Sequence, residues 1–267
     1  MPRWSTTAHR KRMLCGIMRP TEGRTALFGD DPHKNPEKVN NKMGYFSQRF
    51  SLYGDLTVEE NISFFAEIHE VYDYHDRAAE LLEFTRLSPF RKRLANKLSG
   101  GMKQKLALAC AIIHRPRILF LDEPTTGVDP LSRMDFWRIL SSLLKTNITI
   151  IMSTPYMDEA ERCGRVALID KGKLMAVDSP YNIKAMMPGE ILEVVCDNPR
   201  RAKKALNELS LALDVQSFGD RLNVAVESGR DAMPEVRDAL EKAGIAVSDI
   251  RQVTPSLENV FISLMAK

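Results

Sequence analysis

The sequence lacks a hydrophobic stretch long enough to cross a membrane. The longest apolar run in the middle of the chain covers Leu106 to Ile113, whereas a membrane-spanning helix needs about 20 apolar residues. Paired cysteines are also missing, because Cys15, Cys110, Cys163 and Cys196 show no C-x-x-C spacing. These cysteines are predicted to be reduced core residues, and the pattern indicates neither a zinc site nor a disulfide framework.

The chain also lacks a strong excess of charge. Its net charge of +3 is too small to indicate nucleic-acid binding. A hydrophobic content of 44% and a charged content of 27% are typical of ordinary folded domains. A length of 267 residues predicts one domain of moderate size and a second, smaller one.

Acidic residues are absent from the N-terminal segment, where the first one is Glu22. Residues 1–12 are basic and show no helical or strand period. Mitochondrial targeting peptides share this bias, but the segment has no convincing amphipathic length. We interpret it as a tail without regular structure. Further along the chain, a strand is predicted over about residues 24–28.

The most informative stretch is residues 98–130, which joins a glycine pair, a helix and a buried strand. Ser99 can cap the helix, and Gly100 and Gly101 let a ligand approach its N-terminus, where free N–H groups suit a phosphate. Asp122 and Glu123 follow an apolar strand, at the sheet edge where acids can hold Mg²⁺ and orient water. Taken separately, such a glycine pair is often a simple turn and such acids are often solvated.

In this order, the motifs closely resemble the nucleotide-binding domain of ABC transporters. The family's signature, Walker B strand and D-loop are matched by LSGGMKQ, ILFLDEP and GVDP, and its Q-loop by GYFSQRFSLYGDLTVEENI. The resemblance implies an α/β fold of the P-loop NTPase type with a helical subdomain. It also implies ATP and Mg²⁺ as cofactors.

The resemblance assigns a role to each matching residue. In the family, two nucleotide-binding domains face head to tail, and each ATP lies between the phosphate loop of one and the signature of the other. The implied roles are catalysis for Glu123 and Gln48, Mg²⁺ binding for Asp122 and Gln48, D-loop function for Asp129, and binding of the partner's ATP for Ser99, Gly100, Gly101 and Gln104.

Two departures from the family pattern suggest that the chain's own ATP site is impaired. The phosphate loop G-x-x-x-x-G-K-[ST] is missing, since Lys11 is the only lysine before residue 34 and no glycine precedes Gly16. Pro155 stands where the family has a histidine that contacts the γ-phosphate. We expect that the original N-terminus was lost near residue 12, through a frameshift, a wrong start codon or decay into a pseudogene.

The C-terminal residues carry a different pattern, βαββαβ, which predicts a small α+β domain of the ferredoxin-like type. Its closing sequence PSLENVF resembles the accessory segment of drug- and polyketide-exporter ATPases, although a simple packing or dimerisation module is an alternative. The expected elements are strands 191–195, 213–217, 222–226 and 245–250 and helices 199–209, 232–243 and 256–265.

The predicted organisation is a tail over 1–12, a nucleotide-binding domain over 13–187 with its helical subdomain at about 57–110, and an accessory domain over 189–267. The leading hypothesis is the ATP-binding subunit of a bacterial exporter, at the cytoplasmic face of the plasma membrane. Separate permease subunits and a second ATP-binding domain would be its partners, without nucleic acid. The alternatives are a non-hydrolysing subunit that donates its signature, a pseudogene fragment, and a soluble ABC protein of translation or DNA repair.

Overall fold

The computed structural model describes residues 11–48 and 52–265, and the chain divides into two compact units after Pro155. The first unit contains a parallel sheet in the order β1-β2-β3 and helices on both of its faces. Its elements are α1 (described over 11–14), α2 Pro36–Asn40, β1 Met43–Phe46, α3 Val58–Ile68, α4 His75–Phe84, α5 Gly100–Ile112, β2 Ile118–Asp122, α6 Pro130–Leu144 and β3 Thr149–Ser153.

Strand β2 is the centre of this sheet and is buried along its whole length. Leu119 and Leu121 face a large core that includes residues of α3, α5 and α6. Ile118 and Phe120 face the opposite side, where Cys15 packs against them. Both faces of the strand are covered, which explains why Ile118 to Leu121 form the continuous apolar run that is typical of a buried parallel strand.

Three helices in this unit begin with side-chain caps. Thr57 and Glu60 form a capping box at α3, which a Thr-x-x-Glu sequence favours. Ser99 caps α5 through the backbone N–H of Met102. Asp129 caps α6, with Pro130 in the first helical position.

The second unit contains a hairpin and a four-stranded antiparallel sheet in the order β7-β8-β6-β9. This order and the βαββαβ succession are those of the ferredoxin-like arrangement, so the predicted C-terminal topology is confirmed. The elements are α7 Met157–Ala160, β4 Val166–Asp170, β5 Lys173–Asp178, α8 Pro180–Lys184, β6 Glu190–Cys196, α9 Pro199–Asn207, β7 Asp214–Phe218, β8 Arg221–Val226, α10 Gly229–Lys242, β9 Val247–Val253 and α11 Leu257–Met265.

The four-stranded sheet is covered on both faces within its own unit. On one face, Leu206 of α9 and Val236 of α10 pack against Val224. On the other, Ile191 joins a cluster with Leu168 of the hairpin and Val260 of α11. The hairpin therefore packs with the residues that follow it. The two compact units divide after Pro155, earlier in the chain than the predicted domain boundary near residue 187. That boundary between the nucleotide-binding and accessory domains stays a prediction.

Two segments near the N-terminus differ from their sequence-based interpretation. A strand predicted over residues 24–28 is wrong, because the structure has only an isolated bridge between Leu27 and Asp30 there. The predicted tail lies mostly outside the described residues, but Lys11 and Arg12 are helical. The reason is packing: Lys11 is buried, and α1 lies against the sheet through Leu14 and the adjoining Cys15.

Candidate functional site

Polar side chains gather at the carboxyl edge of the three-stranded sheet. Gln48 follows β1, Asp122 ends β2, and Ser153 ends β3. Asp122 and Ser153 are direct neighbours in the parallel register. Parallel strands end at one edge, which is where open α/β sheets place their ligands.

Asp122 is buried and accepts several hydrogen bonds. Its Oδ1 accepts from the Nζ of Lys11 at 2.5 Å and from the Oγ of Ser153 at 3.0 Å, and its Oδ2 accepts from the hydroxyl of Tyr45 at 3.3 Å. Burial by itself raises the pKa of Asp122, but the hydrogen bond and charge of Lys11 outweigh it and hold the pKa below its ordinary value. The carboxyl group is therefore an ionised partner of Lys11.

Lys11 reaches this site from α1, on the N-terminal side of the chain. Its Nζ donates to the carbonyl oxygen of Leu121 at 3.1 Å, to Asp122, and to the Oγ of Ser153. Burial lowers the pKa of Lys11, while the hydrogen bond and charge of Asp122 act in the opposite direction. Because an ammonium has three N–H donors, this geometry uses all of them.

Glu123 lies beside the ion pair in a conformation that is rare for a residue with a side chain, with φ at +47°. Its backbone N–H donates to the carbonyl oxygen of Ser153 at 3.1 Å. Its Oε2 accepts from the Nε2 of Gln48 at 3.0 Å and from the hydroxyl of Thr126 at 3.4 Å. Left-handed backbone at such a position is a local strain often seen at functional sites, and here it turns the carboxylate toward Gln48.

Pro155 follows the end of β3 and is exposed. A proline has no N–H and no polar side chain, so this position offers no donor to a phosphate. The structure thus brings Gln48, Asp122 and Glu123 together. Pro155, at the position where the family has a histidine, supplies no polar side chain.

The predicted signature residues form a second, separate group around the start of α5. Gly100 is exposed, and a Cβ atom added to it would meet nothing within 4 Å among the described residues outside its own helix. Gly101 is buried, and an added Cβ would lie 2.6 Å from the Cβ of Ser132. Gly100 therefore keeps the helix N-terminus open, whereas Gly101 permits close packing against α6.

Two further side chains tie the signature helix to the loop that follows β2. The Nε2 of buried Gln104 donates to the carbonyl oxygen of Pro124. Asp129 accepts from the N–H of Ser132 at 2.9 Å, and this bond lowers the pKa of Asp129. Gln104 thus has a contact inside the protein, while Ser99 and Gly100 are the members of the group that face outward.

Three residues at the Asp122 site were not predicted from the sequence: Lys11, Tyr45 and Ser153. Ser153 could have been found, since it ends the strand that neighbours β2. Tyr45 lies within the stretch that matches the family's Q-loop, but no motif marks its hydroxyl. Lys11 gave only one signal, which is that no other lysine occurs before residue 34.

The Oδ1 atom of Asp122 does not fit a divalent cation in this arrangement. Each oxygen of a carboxylate has about two acceptor positions, and those of Oδ1 are taken by Lys11 and Ser153. Mg²⁺ would need an oxygen at about 2.0–2.1 Å, in the space that the ammonium fills. The roles in Mg²⁺ binding and catalysis that the resemblance gives to Asp122, Gln48 and Glu123 stay predictions.

Two family profiles match this chain. The profile described as "ABC transporter" matches residues 10–126. The profile described as "ATP-binding protein DrrA1-3-like, C-terminal domain" matches residues 179–265. The first covers the Q-loop, the signature and the Walker B strand, and the second covers the ferredoxin-like sheet.

Similar proteins include ATP-binding proteins with names that refer to drug resistance or export. The probable multidrug ABC transporter ATP-binding protein YbhF of Escherichia coli is 38% identical over 95% of this chain, which spans 44% of that protein. The daunorubicin resistance ATP-binding protein DrrA2 of Streptomyces coeruleorubidus is 32% identical, over 95% of this chain and 81% of its own length. The Nod factor export ATP-binding protein I of Burkholderia thailandensis is also 32% identical, over 96% and 83%.

A solved structure titled "Structure of ATP binding subunit of ABC transporter" has a TM-score of 0.60 and is 26% identical, with 67% of this chain and 75% of that chain covered. This likeness supports the P-loop NTPase-like α/β fold. Among the described residues, no helix is long and apolar enough to span a membrane. With the daunorubicin resistance protein matched over most of its length, the chain belongs to the family of ABC transporter ATP-binding proteins.

Proposed function

We propose that this chain is the ATP-binding subunit of an ABC exporter, that its Ser99–Gly101 segment completes an ATP site on a second nucleotide-binding domain, and that its own site at Asp122 is impaired. The relatives named for multidrug transport, daunorubicin resistance and Nod factor export support an exporter. The partners would be permease subunits in the membrane, and the chain would lie at the cytoplasmic face.

The observation that carries this proposal is the open N-terminus of α5. Ser99 and Gly100 are exposed, and in the described part of the chain no atom outside the helix itself lies within 4 Å of an added Gly100 Cβ. The first turn contains no acidic residue. Free backbone N–H groups and the positive end of the helix dipole suit the phosphate of a nucleotide that a partner holds.

The chain's own site has a different character. Glu123 and Gln48 are joined by a hydrogen bond of 3.0 Å, at a position from which a water could be oriented. The ammonium of Lys11 binds Asp122, however, and Pro155 offers no donor. Phosphoryl transfer depends on positioned charges and donors, so loss of these groups would slow hydrolysis at this site.

A second candidate is a subunit that hydrolyses no ATP and only lends its signature to a partner. The contact between Lys11 and Asp122 favours this candidate, whereas Glu123 and its bond to Gln48 favour residual hydrolysis. The two candidates differ in whether this chain's own site contributes any turnover within the complex, and they agree on the role of Ser99 and Gly100.

The test is ATP turnover by the complex purified from the source organism through a tag on this chain, compared with the chain alone. Gly100→Glu is the informative variant. A carboxylate in the first turn favours the helix and meets no steric obstacle, but it repels a phosphate. We expect the variant complex to lose turnover by at least about tenfold, as removal of one such electrostatic contact does, and the chain alone to show none above background.

The matched control is Arg200→Glu, which places a carboxylate in the first turn of α9, on the exposed surface of the second unit. This variant is expected to keep the turnover of the complex. Turnover by the isolated chain at the level of the complex, or a Gly100→Glu complex as active as the control, would refute the proposal.

A further inference from the structure

We propose that Lys11 is the resident cation of the Asp122 site, and that its ammonium takes the place that a divalent ion would need. The resemblance assigns Asp122 to Mg²⁺, but its Oδ1 atom is bound by the ammonium of Lys11 in the same protein. Asp122 is then a structural anion and not a metal ligand in this chain.

The oxygens around Nζ are those that a hard cation would choose. They comprise a backbone carbonyl of Leu121, a carboxylate of Asp122 and a hydroxyl of Ser153. Mg²⁺ and Ca²⁺ prefer this kind of oxygen set. An ammonium satisfies the same three acceptors with its three N–H groups, so the ligand set is complete without a metal.

The two cations exclude one another. An ion on Oδ1 of Asp122 would lie within the contact distance of Nζ, which is itself 2.5 Å from that oxygen. Two positive charges so close in a buried site repel strongly, because water screens them little. Only about 6% of the Lys11 side chain and 3% of the Asp122 side chain are exposed.

Lys11 is held in this place by the packing of its own helix. The N–H of Cys15 donates to the carbonyl oxygen of Lys11 at 2.8 Å. Cys15 is buried against Met43, Ile118 and Phe120 at the face of the sheet. Withdrawal of the ammonium would therefore break three hydrogen bonds or require α1 to move.

The same geometry distinguishes Lys11 from a phosphate-binding lysine. All three of its donors are used inside the protein, and none points to a ligand. The inference relies on the proposed function only for the identity of the ion that is excluded, and its test uses metal ions without nucleotide.

The first experiment measures Mn²⁺ binding by electron paramagnetic resonance, with Mn²⁺ as the probe for Mg²⁺. Wild-type protein is expected to bind no Mn²⁺ at Asp122. The Lys11→Met variant keeps the side-chain length without the charge, and we expect it to bind one Mn²⁺ at least about tenfold more tightly, since a unit charge next to the ion is removed. Addition of Asp122→Asn should abolish this gain.

The matched control is Lys105→Met, which removes a mostly buried lysine that lies 3.7 Å from Asp135 and makes no contact with Asp122 among the described residues. It should bind Mn²⁺ no better than the wild type. Stoichiometric binding by the wild type that Asp122→Asn removes, or no gain in a folded Lys11→Met variant, would overturn the proposal.

A second experiment needs no variant and decides the matter if Lys11→Met does not fold. Lysine labelling by an amine-reactive reagent, read by mass spectrometry, is compared with and without millimolar Mg²⁺. Lys11 should stay protected in both, whereas exposed Lys171 should be labelled in both. A rise of Lys11 labelling with Mg²⁺ would show that the metal displaces the ammonium. Failure of the signature test leaves these metal readouts unchanged, so the two proposals can fail separately.

Discussion

The first unit contains two groups of residues that match family motifs, one around Ser99 and one around Asp122, and they differ in exposure. Around Ser99 and Gly100 the polar groups are exposed and the space beside the helix N-terminus is open. Around Asp122 the polar groups are buried and bound to one another. The groups that the chain would lend to a partner are accessible, whereas an acid that it would use itself is already neutralised by Lys11.

This difference shows that a residue can match a family motif and still be inaccessible to a ligand. LSGG and the Walker B strand are equally recognisable in the sequence. Of the two, LSGG has exposed residues, Ser99 and Gly100, whereas Asp122 at the end of the Walker B strand is buried. The reason is tertiary, because a lysine from a distant segment fills the second site.

Removal of the Lys11 ammonium is expected to have the largest effect on stability. We expect Lys11→Met to lower the free energy of unfolding by about 3–5 kcal/mol, since one partner of a buried ion pair is left alone. Urea unfolding followed by circular dichroism measures this loss. The double variant with Asp122→Asn should recover part of it, because the unpaired charge is then gone, and a double variant no more stable than Lys11→Met would contradict the expected pairing.

The two signature glycines provide a second test, within the open group itself. Gly101→Ala should cost about 1–3 kcal/mol, because the new methyl group overlaps Ser132. Gly100→Ala should cost nothing or be stabilising, since its surroundings are empty and alanine favours a helix. Thermal unfolding compares the two, and Ser132→Gly should relieve the penalty at Gly101 but leave Gly100→Ala unchanged. Equal stabilities of the two alanine variants would show that the packing against α6 is looser than described.

Acid provides a third test, on the partly buried side chain of His114 next to the same sheet. His114 stacks on His69 with ring centroids 3.7 Å apart, and its Nε2 lies 3.0 Å from the carbonyl oxygen of Met43. Burial, and then the charge of His69, lower the pKa of His114 to about 4 from an ordinary value of 6.5. The unfolded chain thus binds more protons between these values, and stability is lost as the pH falls from 6.5 to 4.

The size of this acid effect is about 1–2 kcal/mol after allowance for partial exposure of the ring. Urea midpoints across this pH range measure it. His114→Gln should flatten the dependence, and the exposed His75→Gln should not. An unchanged slope in His114→Gln would assign the loss to another group. The Lys11–Asp122 pair is expected to persist through this window, because the pKa of Asp122 is held below its ordinary value of 3.8.

The local parts of the fold and site could be predicted, and the parts that depend on distant contacts could not. Ser99, Asp122 and Glu123 belong to continuous motifs, and the βαββαβ pattern has a clear period in each element. Lys11 and Asp122 are separated by 111 positions, and a single lysine without a motif gives no sign of its partner. The strand expected at 24–28 failed for a related reason, since an apolar stretch becomes a strand only where a neighbouring strand pairs with it.

Substitution of Ser99 is expected to have the smallest effect on stability, and it separates the folding role of this residue from its role in ATP binding. Ser99→Ala removes the cap of α5, in which Ser99 accepts from the N–H of Met102 at 3.4 Å, and should cost about 0.5–1 kcal/mol. Ser179→Ala removes an equivalent cap from α8, where the bond to Asn182 is 3.2 Å long, and thermal unfolding should show a loss of similar size. ATP turnover of the purified complex should fall only for Ser99→Ala, since only that hydroxyl lies at the open helix end. If both variants lowered turnover in proportion to their stability, Ser99 would act as a cap alone, and the role in ATP binding would rest on the glycines.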